Sequence, residues 1–341
     1  MIDNHAERTR PGDTPRSTIT LSTTSIHPDT GVGAVRLTVS DLNRSREFYE
    51  NVLGLAGSER EDGTLELGAL GQHPLVELSA DAAARPLDRR ATGLFHLAIL
   101  QPSRHDLALA LRRIAEARWP LDGASDHLVS EALYLSDPDG IGIEIYHDRP
   151  REVWPHKGEE LSMATLPLNL RTIIDELDGP ADQARRTDTG TRMGHVHLQV
   201  SDVDEAEGFY SGVLGFDVMV RGYPGALFLS AGGYHHHIGL NTWESLGGQP
   251  PPPGTTGLYH LAILYPTRAA LADALRRLLA ANISLDGAAD HGVSEALYLH
   301  DPDLNGVELY WDRPESEWPR DPTGNLTMYT RALDLKGLLA T

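Results

Sequence analysis

Residues able to do chemistry in this chain are mostly histidines, of which there are 16. In GHVHLQVSD, His195 and His197 stand two apart, so a strand would turn both to one face. His260 lies in GLYHLAIL and Glu308 in GVELYW, both short apolar runs of strand type. A glutamate between Val307 and Leu309 needs a polar partner if that strand is buried. An imidazole from the 195/197 pair, together with His260 and Glu308, on three strands of one sheet, forms the donor set of a facial triad. Such a triad holds a divalent metal, leaves neighbouring positions open and suits Fe(II) and oxygen chemistry. A further run, His235-His236-His237, lies in GGYHHHIGLNTW.

The elements that must carry these residues come in duplicate. LDGASDHLVSEALYLSDPDG (121–140) and LDGAADHGVSEALYLHDPDL (285–304) differ at four of twenty positions, at an offset of 164. The same offset relates GLFHLAIL to GLYHLAIL, Glu144 to Glu308 and Trp154 to Trp318. Upstream, LTVSDLNRSREFYENVLGL matches LQVSDVDEAEGFYSGVLGF at offset 161, so the second copy carries three extra residues, around 232–253. The predicted organisation is a mobile N-terminal arm over 1–30, a module over 31–150, a linker over 151–190, a second module over 191–315 and a tail over 316–341 that packs back on the body. In each module a short alternating strand leads to Ser-Asp, a good helix cap, and an amphipathic helix ends at Leu-Gly. Several strands, a second helix (104–117; 268–281) and two strands about a DPDxxG turn follow. That is an α+β plan with mixed sheets. The DPDLNG aspartates, Asp301 and Asp303, read as turn formers.

Composition narrows the function. The formal net charge of −20 repels phosphate backbones and anionic lipid, so neither nucleic acid nor membrane is an expected partner. With no cysteine, disulfides, Fe–S clusters, thiolate zinc sites and cysteine nucleophiles are excluded. No run reaches a membrane span, and no basic-then-apolar signal pattern opens the chain; the expectation is a cytoplasmic protein. Duplicated modules with edge strands suggest a homo-oligomer.

The strings HVHLQVSD…FYSGVLGF, GLYHLAIL and DPDLNGVELYWDRP resemble the vicinal oxygen chelate superfamily, which includes glyoxalase I, bleomycin-binding proteins and type I extradiol dioxygenases. With GGYHHHIGLNTW, the sequence looks most like two-module catechol 2,3-dioxygenases. The resemblance implies tandem modules of paired βαβββ units and a metal in the C-terminal module alone. Its first ligand lies seven residues before the helix-opening aspartate, which selects His195; His260 and Glu308 complete the set. In the first module the matching position is Ala34, so His96 and Glu144 would be the remains of a relict site. The resemblance further implies Fe(II), replaceable by Mn(II), with a small aromatic diol and O2 as partners. It gives His236, or its neighbours His235 and His237, an acid–base role, and gives His291 and Tyr298 contact with substrate. The alternatives are a glyoxalase-like metal-dependent isomerase or lyase with His195, His260 and Glu308 as Lewis-acid ligands, and a metal-free bleomycin-resistance-like binding protein; glyoxalase I itself, where ligands from both modules share one metal, does not match a single-module site.

Overall fold

Four copies of one unit, strand–helix–three strands, make up most of the protein in this computed structural model, which describes residues 25–158, 160–177 and 185–341. Unit one comprises β1 (Gly31–Val39), α1 (Leu42–Glu47), β2 (Ala56–Glu59), β3 (Leu65–Gly68) and β4 (Pro74–Ala80). Unit two comprises β5 (Gly93–Leu100), α2 (Arg104–Glu116), β6 (Gly123–Asp126), β7 (Ser130–Ser136) and β8 (Gly142–Asp148). The connecting stretch holds β9 (His156–Lys157), β10 (Glu160–Leu161), β11 (Leu166–Pro167) and α3 (Leu170–Ile174). Unit three follows as β12 (Arg192–Gln199), α4 (Val203–Glu207), β13 (Asp217–Val220), β14 (Ala226–Ser230) and β15 (Ile238–Asn241). Unit four is β16 (Gly257–Leu264), α5 (Arg268–Ala280), β17 (Gly287–Asp290), β18 (Ser294–His300) and β19 (Gly306–Asp312). The tail adds β20 (Arg331–Ala332), which pairs with β17, and α6 (Leu335–Leu339).

The local signals act as their chemistry dictates. Asp41 and Asp202 cap their helices by accepting backbone N–H bonds from Arg44 and from Asp204 and Glu205. Both helices end in a widened turn, where Leu53 N–H reaches Phe48 O and Leu214 N–H reaches Phe209 O. Gly54 and Gly215 then take φ of 83° and 90°, a region a side chain rarely enters. The DPDxxG turns are structural. Asp139 binds the N–H and hydroxyl of Ser40, and Asp303 accepts the N–H of Ser201. The buried Tyr49 and Tyr210 donate to Asp137 and Asp301. Of the N-terminal arm, residues 1–24 lie outside the described residues. Residues 25–30 pack down, with Ile26 buried and its N–H bonded to Gly215 O.

The sheets do not follow the modules. One nine-stranded sheet runs β2-β3-β4-β1-β16-β19-β18-β17-β20, and the other runs β11-β6-β7-β8-β5-β12-β15-β14-β13. Unit one therefore pairs with unit four, through β1 antiparallel to β16, and unit two with unit three, through β5 antiparallel to β12. The physical reason lies in the duplication. β5 reads GLFHLAIL and β16 reads GLYHLAIL, so either edge offers β1 or β12 the same apolar face and the same ladder. Strand pattern cannot choose between these partners.

Candidate metal centre

The exchange of sheets decides which donors meet. His195 of β12 and Glu144 of β8 both lie opposite Ala98, on the two sides of β5. His96 is two residues from Ala98 and so shares its face. All three side chains converge. His96 Nε2 is 3.0 Å and His195 Nε2 3.1 Å from Glu144 Oε2, and the two imidazole nitrogens are 3.4 Å apart. All three residues are buried, and among the described residues they are the group of three whose ligand atoms lie within 4.8 Å of one another. Burial raises the Glu144 pKa, but the His195 and His96 imidazoles outweigh it and hold the carboxyl well below its usual range. Burial pushes His195 down to about 4, so it is a neutral donor at pH 7. One carboxylate and two imidazoles, crowded at hydrogen-bond distance away from water, are the donor chemistry of a divalent-metal site.

Beside this group lies a cavity of about 220 Å³. Phe95, Phe228 and Trp243 give it apolar walls, and His236, His127 and Tyr134 give it polar ones. His127 Nδ1 donates to the Ala164 carbonyl at 2.7 Å, which leaves its Nε2 to accept from the Tyr134 hydroxyl at 2.6 Å. His236 is packed on His195, with ring centroids 4.0 Å apart. Burial holds His236 and His197 well below the usual histidine range. His197 also lines the cavity, opposite Gly239, where a Cβ would come within 2.9 Å of the ring. Met163, Ala164 and Thr165 of the connecting stretch cover the chamber, with Thr165 Oγ1 2.7 Å from the Tyr223 hydroxyl. These three residues and Phe95 carried no signal in the sequence beyond their place, since a linker announces nothing about what it will cover.

His195, His260 and Glu308 do not come together. His260 on β16 and Glu308 on β19 belong to the other sheet and line a second chamber of about 500 Å³. There they sit beside Ala34 and Arg36 of β1, with His260 Nε2 3.3 Å from Glu308 Oε2. His291 and Tyr298 line this chamber too, and not the one that His236 lines beside His195. His291 Nε2 is 3.0 Å from the Tyr298 hydroxyl, which donates to Glu308 Oε1 at 2.8 Å. Burial pushes Glu308 up to about 7, and burial followed by the Arg36 charge lowers His260 to about 4. The expected donor set required strands 12, 16 and 19 to share one sheet; the pairing of β12 with β5 instead brings in His96 and Glu144. The chamber expected to be a relict therefore supplies two of the three converging donors, and its polar companions are His127 and Tyr134.

A family model described as the Glyoxalase/Bleomycin resistance protein/Dioxygenase superfamily matches residues 31–145 and 192–329. A catechol-2,3-dioxygenase of Bacillus subtilis (strain 168) is 44% identical over 269 residues, covering 77% of this chain and 92% of that protein. Biphenyl-2,3-diol 1,2-dioxygenase 3 of Rhodococcus globerulus is 34% identical over 121 residues, 36% of this chain and 63% of that one. Among solved structures, a putative dioxygenase from Bacillus subtilis aligns with a TM-score of 0.62 at 17% identity, over 86% of this chain and 87% of its own. Glyoxalase I from Zea mays aligns at 0.51 with 16% identity, over 83% and 92%. Both share the fold. No helix among the described residues is long and apolar enough to cross a membrane.

Proposed function

This chain belongs to the Glyoxalase/Bleomycin resistance protein/Dioxygenase superfamily, and from that premise we propose that it is an extradiol dioxygenase that opens a catechol-type ring with O2, using Fe(II) held by His96, Glu144 and His195. The observation that carries the reading is the convergence of two imidazoles and one carboxylate beside an apolar-walled cavity of about 220 Å³. Fe(II) supplies an electron path between a chelated diol and O2, which no side chain here provides, and Mn(II) suits the same donors. The protein's own groups do the rest. Phe95, Phe228 and Trp243 hold the ring by its faces. Tyr134, whose hydroxyl proton is engaged by His127, has oxygen lone pairs left to accept from a substrate hydroxyl. His236, kept neutral by burial, takes a proton from the diol and returns it later in the cycle. The Met163–Thr165 strap keeps bulk water off the site.

A second reading, a glyoxalase-like isomerase or lyase, is favoured by one feature: the donors come from both halves of the chain. Oxygen uptake separates the two. Protein reconstituted anaerobically with Fe(II) and given a catechol panel is expected to consume O2 and form a yellow semialdehyde. Stoichiometric iron binding without O2 consumption overturns the dioxygenase and leaves the isomerase or lyase.

A further inference from the structure

His236 does not stand alone. Its Nδ1 lies 2.8 Å from Nδ1 of His235, and His235 Nε2 lies 2.8 Å from Oδ1 of Asp148, the last residue of β8. The His235 ring is fully buried, packed against Tyr234 (4.1 Å between centroids) and Trp154 (5.4 Å). Tyr234 is itself tied to Tyr146 by a 2.7 Å hydroxyl contact, and Trp154 Nε1 donates to Arg149 O. Neither ring has room to turn. A carboxylate at this distance accepts the Nε2–H of His235, and an imidazole with a single ring proton placed there presents Nδ1 as a bare acceptor. That acceptor takes the Nδ1–H of His236, which leaves His236 Nε2 unprotonated.

We propose that Asp148 and His235 are positioning residues that set the tautomer of His236 and hold its Nε2 lone pair ready for a substrate hydroxyl. The consequence for catalysis rests on the proposed dioxygenase reading; the tautomer does not. Asp148 borders a separate cavity, with Arg192 and Gly190, and is not among the residues that line the substrate chamber. The second chamber serves as an internal comparison. There Asp312 stands at the position of Asp148 and His73 at that of His235, but Pro74 replaces His236. The supporting pair persists where the residue it would orient is gone, and so is the third donor.

The test is ring 15N NMR of the metal-free wild-type protein, with His236→Gln for assignment. The expected result is a pyridine-type Nε2 and a pyrrole-type Nδ1 for His236. A protonated Nε2 overturns the proposal, whatever the activity. In the iron-loaded protein, His235→Leu removes the acceptor, while His235→Asn keeps an oxygen near the position of Nδ1. His235→Leu is expected to lower kcat roughly 10–100-fold, the scale of supporting-shell losses, at unchanged iron content and KM. His235→Asn is expected to recover most of that loss. Equal losses in both variants, or a loss confined to KM, overturn it. Should the wild type lack dioxygenase activity but show the expected 15N pattern, the tautomer assignment stands and the function reading falls.

Discussion

Replacing His96 and His260 one at a time by alanine separates the two chambers. The residues are sequence copies, in GLFHLAIL and GLYHLAIL, and each faces a glutamate: Nε2 to Oε2 is 3.0 Å for His96–Glu144 and 3.3 Å for His260–Glu308. Each variant deletes an imidazole of low exposure and leaves a similar void, so the general cost in stability is alike, about 1–3 kcal/mol. The difference lies in the third donor. His96 meets His195 at 3.4 Å, whereas His260 has Ala34 in the matching place. Loss of a supporting residue already costs roughly 10–100-fold in metal affinity, so loss of a direct donor exceeds about 100-fold, or about 2.7 kcal/mol. His96→Ala is therefore expected to lose iron and oxygen uptake, and His260→Ala to keep both. Iron per chain after desalting, read with oxygen consumption on catechol, measures each. Iron loss in His260→Ala with retention in His96→Ala would refute the assignment and the strand pairing behind it.

Three further outcomes are expected. Ala34→His supplies the missing imidazole beside His260 and Glu308, and should raise bound iron from one per chain towards two, measured by metal analysis. Glu308→Gln tests the raised carboxyl. Its folded pKa, about 7, lies above the unfolded value of 4.5, so the acid's contribution to stability is full below pH 4.5 and lost as pH rises through 7. The amide removes that loss, so denaturant midpoints should show stabilisation at pH 8, of order 3 kcal/mol at most, and little change at pH 4; a destabilised variant at pH 8 would count against a protonated Glu308. Leu304 sits at φ 62° and is largely exposed, where the copy has Gly140 at 82°. Leu304→Gly should raise the Tm, with a net gain of up to about 1 kcal/mol after the glycine's entropy is counted; a lower Tm would refute the strain.

Local structure in this protein was legible from its sequence. The cap aspartates, the Leu-Gly helix ends, both long helices and the DPDxxG turns depend on neighbours within a few residues, and all stand where pattern puts them. The α+β class and the duplication follow from the same short-range order. The donor types were legible as well, two histidines and a glutamate at fixed places in a repeat, with His195 among them. Their partnership was not. Duplication makes β5 and β16 nearly identical, so the ladder that joins β12 to one would serve almost equally for the other. Only the path of the whole chain chose β5, and with it His96 and Glu144 over His260 and Glu308. A pairing energy that depends on local side chains cannot distinguish two copies of the same edge.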